Sequence, residues 1–127
     1  MKRVICFPPG TAYNIGMFDK YLKYPWTAPI LEILDDVVGR NLTNLIADGP
    51  LEDWWEVEYS FPAIAADAIL SIETAKNLYG FELSSFSYGI GISTGEFIGA
   101  GILGGLSYEE VIKLVKLKGE LNAEAPD

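Results

Sequence analysis

The 127-residue sequence contains no histidine and only one cysteine, Cys6. Histidine is the usual general base for a serine nucleophile at neutral pH, so any serine chemistry here must borrow its base. A single cysteine excludes an internal disulfide. Its place in the short apolar run Val4-Ile5-Cys6-Phe7 predicts a buried strand residue rather than a reactive thiol. No run reaches the roughly 18 apolar residues of a membrane span, and Pro8-Pro9 follow the first apolar run too soon for a signal-peptide core. A soluble, cytoplasmic protein is expected. Basic residues are scarce, nine against eighteen acidic ones, leaving a net charge of −9. That charge repels phosphate backbones and anionic surfaces, so neither nucleic acid nor membrane is an expected partner. Nothing in the pattern calls for a metal or another cofactor.

What is present reads as one domain, residues 1–127, half apolar by composition and long enough to bury a core. Arg3 to Phe7 predicts a buried strand ended by Pro8-Pro9-Gly10, since proline cannot continue a ladder. After a loop to about Gly16, Met17 to Tyr24 and Thr27 to Val38 suit two helices split by Pro25. Ile30, Leu31, Leu34, Val37 and Val38 form the apolar stripe of the second, and Gly39 is its stop. Asn41 can cap a short helix that Gly49-Pro50 ends. Trp54 and Trp55 could stack on a planar ligand, but covering the core or an interface is the expected role.

A long helix is predicted from near Ser60, its cap, to Tyr79, with Pro62 in the first turn, Gly80 at the end, and Ala63, Ala65, Ala66 and Ala68 allowing close packing on a sheet. Phe86 to Gly91 suits a central strand leading into Ile92-Ser93, followed by helices from Thr94 to about Leu103 and from Tyr108 to near Leu121. Ser107 caps the last helix with Glu110 three residues on, and Val111, Ile112, Leu114, Val115 and Leu117 are its expected buried side. The order predicts an α/β fold with parallel strands flanked by helices. Two strands make a thin sheet, because a parallel pair needs both faces covered and usually further strands beside it. The sequence thus suits the opening part of a larger fold, or one that completes its sheet against a partner chain or a second copy.

The chemistry-bearing pattern is Gly91-Ile92-Ser93-Thr94-Gly95. Glycines two residues either side of a serine relieve the collision where a strand turns sharply into a helix. The serine would sit exposed at the helix start, where free N–H groups, Thr94's among them, can stabilise an oxyanion. Gly-x-Ser-x-Gly by itself is a weak pattern that chance readily supplies among thirteen glycines. The strand before it and the helix after it favour the elbow geometry.

Around that elbow the resemblance becomes specific. Gly91 to Gly119, GISTGEFIGAGILGGLSYEEVIKLVKLKG, resembles without a gap the malonyl-CoA:acyl carrier protein transacylase pattern GHSLGEYAALVAAGALSFEDALRLVRLRG. Phe7-Pro8-Pro9-Gly10 through Gly16-Met17 resembles that family's FPGQGSQ…GM opening, and Gly49-Pro50 through Glu58-Tyr59-Ser60-Phe61-Pro62-Ala63 its GP…TEYAQPA stretch. The resemblance implies the first part of the large, α/β-hydrolase-like subdomain of that family. It implies Ser93 as nucleophile toward an acyl-CoA thioester, an acyl carrier protein as acceptor, and a base histidine from elsewhere. Several positions depart from the pattern. The family's oxyanion-hole glutamine falls on Gly10, the histidine before the serine on Ile92, the glutamine before Pro-Ala on Phe61, and the arginine that pairs with the malonyl carboxylate on Lys118. Lysine keeps the charge but not the planar two-bond fork. The acidity of the chain also disfavours docking an acidic carrier unless a basic face comes from elsewhere.

Overall fold

The computed structural model describes residues 1–125. Strand β1, Val4–Phe7, pairs in parallel with β2, Tyr88–Gly91, in a two-stranded sheet. Five α-helices accompany it: α1 Thr27–Val38, α2 Leu42–Asp48, α3 Val57–Tyr79, α4 Thr94–Leu103 and α5 Tyr108–Glu124. The expected α/β order and the thin parallel sheet are both present.

Helix ends follow local chemistry closely. α1 stops at Gly39, whose φ of 79° an L side chain tolerates poorly. The Asn41 side chain accepts from the Asn44 N–H at the start of α2. α5 opens with a complete capping box, in which Ser107 and Glu110 each satisfy the other's backbone N–H.

α3 is the spine. It packs chiefly on α5 and α1, and its Ala68 lines a cavity shared with Ile5, Cys6 and Phe7 of β1. Its start differs from expectation, lying a turn earlier than Ser60. The cause is α5: at Gly119 a Cβ would come within 2.5 Å of the Val57 carbonyl oxygen, so that glycine lets the first turn of α3 dock. Ser60 therefore lies buried inside the helix with its hydroxyl unpartnered, and Pro62 is an interior residue near the N-terminal end.

Met17 to Tyr24 does not form the expected α-helix; only a 3₁₀ turn, Asp19–Tyr21, is present. The anchors of this segment are on α3. Met17, Phe18 and Tyr21 are buried, the Tyr21 hydroxyl is 2.5 Å from Ser71 Oγ, and just beyond this segment Trp26 Nε1 donates to Thr74 Oγ1 at 2.9 Å. Of the two tryptophans, Trp54 is fully buried, edge-on to Tyr13, while Trp55 is exposed. On α5 the buried face is Val111, Ile112, Val115 and Gly119; Leu117, two residues past Val115, turns outward and is 51% exposed.

The sheet is covered on one face only. Register pairs Ile5 with Gly89 and Phe7 with Gly91 on the face toward α4. There the Phe7 ring fits over Gly99, and Leu103 occupies the space beside Gly89. The opposite face pairs Val4 with Tyr88 and Cys6 with Ile90, and all four are exposed. Cys6 is thus not the buried residue its sequence neighbours suggest. Burial of a parallel strand requires a second covering layer, and residues 1–125 place none on that face.

Candidate functional site

At the end of β2 the chain reverses into α4 through Ser93, whose backbone has φ 52° and ψ −115°. It is the one non-glycine residue with positive φ among the described residues. Such a conformation costs on the order of 1–3 kcal/mol and persists only where its surroundings enforce it. Two glycines enforce it here. A Cβ on Gly91 would collide with the backbone of Gly95 and Glu96, and one on Gly95 would come within 2.5 Å of the Phe7 carbonyl oxygen and 2.6 Å of that of Pro8. Only glycine at both positions allows strand, turn and helix to close on the end of β1. The turn is fixed by Gly95 N–H donating to the Ile92 carbonyl at 2.9 Å and Glu96 N–H to the Ser93 carbonyl at 3.0 Å.

The Ser93 side chain is exposed and makes no capping bond to its own helix, which leaves the hydroxyl free. Thr94 is the first residue of α4, so its N–H has no partner within the helix. Its side chain is fully buried with Oγ1 unpartnered. A helix N-terminus behind an exposed hydroxyl can stabilise negative charge developing on an oxygen attached to that hydroxyl's target. Among the described residues, no three His, Cys, Asp or Glu side chains converge to hold a metal.

No protein-family model matches the chain. The malonyl-CoA-acyl carrier protein transacylase of Haemophilus influenzae is 27% identical over 125 residues, 98% of this chain and 39% of that protein. The mitochondrial transacylase of Mus musculus is 26% identical over 124 residues, 98% of this chain and 32% of that protein. Among solved structures, the acyl carrier protein S-malonyltransferase of Vibrio cholerae superposes with a TM-score of 0.86 at 27% identity, covering all of this chain and 41% of that one. This chain is related to the malonyl-CoA:acyl carrier protein transacylases. It spans between a third and two-fifths of their length, and the part matched is N-terminal. The fold agrees further with the Bartonella henselae S-malonyltransferase, TM-score 0.89 at 22% identity, over 100% of this chain and 41% of that one. A malonyl-transacylase in complex with its type II PKS acyl-carrier protein also matches, at TM-score 0.86 and 25% identity over 100% of this chain and 40% of that one.

In this transacylase-like chain, three of the positions that depart from the family pattern meet beside the elbow. The Phe61 ring is buried and fills the space a side chain at Gly10 would need; a Cβ there would collide with the ring and lie 3.0 Å from Thr94 Oγ1. The Lys118 ammonium rests 4.9 Å from the centre of the same ring and 5.3 Å from that of Phe97. Gly10, Phe61, Thr94 and Lys118 are therefore one cluster, and the changes at 10 and 61 are sterically coupled. Ile92 stands apart, its side chain 63% exposed. Phe97 was not singled out by its sequence context. Its position one helical turn after Ser93 is the signal that points to it.

Asp67 and Tyr108 have clearly displaced pKa values, and neither belongs to the cluster. Burial pushes the Asp67 carboxyl up, with the Lys20 charge and the Tyr21 hydroxyl pulling the other way. Burial, followed by the hydrogen bond to Glu73 and that carboxylate's charge, pushes the Tyr108 phenol up. No helix among the described residues is long and apolar enough to cross a membrane.

Proposed function

We propose that the chain, as the N-terminal part of an acyltransferase-like large subdomain, carries the nucleophile side of a malonyl-CoA:acyl carrier protein transacylase-type site and is impaired as an isolated chain. The observation that carries this is the Ser93 backbone, φ 52° and ψ −115° at a glycine-flanked strand-to-helix turn, in a chain related to transacylases over 98% of its length. In the proposed step, Ser93 Oγ attacks the thioester carbonyl of an acyl-CoA. The C–O bond forms, the C–S bond breaks, and the serine proton passes by way of a base to the departing thiolate. The acyl group would then move to the thiol of an acyl carrier protein. The Thr94 N–H, helped by the backbone at Gly10, holds the oxyanion; Lys118 attracts an acyl carboxylate; Ile92 bounds the substrate side of the turn. No bound cofactor enters the scheme.

Impairment follows from what surrounds the serine. With no histidine in the sequence, the base must come from another chain or from a segment outside this sequence. Loss of one oxyanion donor costs about a hundred- to a thousand-fold in rate. The net charge of −9 argues against nucleic acid or membrane as partner, and an exposed, unpaired Cys6 suits a reducing compartment, which we take to be the cytoplasm. The alternative is a non-catalytic assembly module on the same scaffold. It is favoured by the apolar bulk of Phe61 and Ile92 where the resemblance calls for polar groups.

Incubation with malonyl-CoA and acetyl-CoA, read by intact mass, separates the two. The enzyme reading expects slow accumulation of a malonyl adduct that Ser93→Ala abolishes. If long incubation gives no adduct on Ser93, the chain is the module.

A further inference from the structure

Lys118 is held differently from the other lysines. Lys20, Lys76, Lys113 and Lys116 each pair with a carboxylate, and Lys2 and Lys23 each lie over one tyrosine ring. Among the described residues Lys118 alone lies over two rings, and no ion pair engages it. In a chain with eighteen acidic residues, that ammonium keeps its charge uncancelled.

The two rings come from different helices. Phe61 on α3 is buried and Phe97 on α4 is 38% exposed. α5 delivers Lys118 to them because Gly119, the next residue, packs against the Val57 carbonyl in the first turn of α3. The face of an aromatic ring is the negative part of its quadrupole, so it holds a cation in place without neutralising it. A lysine side chain otherwise has many rotamers to lose, whereas a guanidinium is aimed by its own planarity. Two ring faces supply the aim that the ammonium lacks.

The seat adjoins the elbow. Phe97 follows Ser93 by one turn of α4, and the Phe61 ring fills the space between Gly10 and Thr94 Oγ1. The N-terminus of α4 adds positive potential on the same side. An unpaired ammonium fixed beside a helix N-terminus and a free serine hydroxyl suits a thioester whose acyl group ends in a negative charge.

We propose that Phe61 and Phe97 are specificity-determining positioning residues, which seat the Lys118 ammonium so that the site prefers an acyl group ending in a carboxylate over a neutral one. The inference rests on the acyl-transfer reading for the class of substrate. It extends that reading to two side chains that touch the lysine and not the reacting atoms.

Reductive dimethylation of the lysines with isotope-labelled formaldehyde keeps their charge, and NMR identifies the Lys118 signal by its loss in Lys118→Arg. In Ser93→Ala protein, where no acyl group can be trapped at that position, ring currents are expected to place this signal upfield. Malonyl-CoA is expected to shift it at concentrations about tenfold below those at which acetyl-CoA does. Phe97→Leu in the same background should return the signal toward the bulk lysine position and cut the malonyl preference about two- to fivefold. Phe97→Tyr, which keeps the ring, should restore both. Phe61→Leu should act as Phe97→Leu does, and the half-exposed Phe97 site carries the test alone if that buried change unfolds the protein.

Three outcomes overturn the proposal: a bulk-like Lys118 signal in the free protein, equal responses to the two esters, or a malonyl preference that survives Phe97→Leu. The Ser93 adduct is measured separately on unmethylated protein. A Lys118 response selective for malonyl-CoA without any adduct retains the seat and sinks the acyl-transfer reading. An adduct formed equally from both esters beside a bulk-like Lys118 signal does the reverse.

Discussion

The helical layer and the sheet of this molecule are packed to different standards. On α1, α3 and α5, Leu34, Ile64, Ile69, Leu70, Val111 and Val115 are wholly buried, whereas on the strands Phe7 alone is buried, and not completely, and Val4, Tyr88 and Ile90 stand about half exposed. Burying an aliphatic side chain is worth about 1.5–3 kcal/mol, so the helices supply the stability and the sheet borrows it. The elbow belongs to the sheet but is held from the helical side, through the glycine contacts between α4 and the end of β1. That division explains how a strained serine can be kept in place by a sheet that is itself half dressed.

The contrast is broken most directly by truncating one isoleucine from each region. Ile69→Ala should cost about 2–5 kcal/mol through its cavity, while Ile90→Ala should cost under about 0.5 kcal/mol; urea denaturation of both variants checks this. Next in size, Gly91→Ala forces a methyl group into the Gly95 backbone. An expected loss of about 1–3 kcal/mol should come with loss of any Ser93 adduct.

The coupled cluster is tested by a double-mutant cycle on Gly10→Gln and Phe61→Gln. Gly10→Gln alone collides with the ring and destabilises, and adding Phe61→Gln relieves the clash, giving a coupling on the order of 1–2 kcal/mol. Additive effects would separate the two positions. The smallest effect concerns Asp67, whose raised pKa means the native state holds its proton more tightly than the unfolded chain. Stability therefore falls as pH rises through the carboxylate range. Asp67→Asn should raise the melting temperature at pH 7 by about 2–4 °C, with the gain vanishing below about pH 4.

What could be read from the sequence follows the same division. Gly39, Asn41, Gly80 and the Ser107–Glu110 box mark helix ends within a residue or two, because capping is settled by atoms a few positions apart. The elbow was legible for the same reason, its steric demand being local to five residues. Misreadings arose where distant chain decides. Ser60 is not a cap because α5 offers Gly119 to the turn before it, and Met17 to Tyr24 is pinned by side chains more than forty residues away. Cys6 reads as buried because its three apolar neighbours, Val4, Ile5 and Phe7, imply two covered faces, and no pattern within β1 records that one cover is absent. The Lys118 contact with Phe61 and Phe97 joins three helices and leaves no trace in spacing.

Hydrogen exchange on the isolated protein tests the asymmetry most directly. Amides in the middle of α3, around Ile64 to Leu70, should exchange at least about a hundredfold more slowly than those of Val4 to Phe7 and Tyr88 to Gly91. Sheet amides protected as strongly as those of α3 would show that the open face is already covered in the isolated protein and would contradict the account.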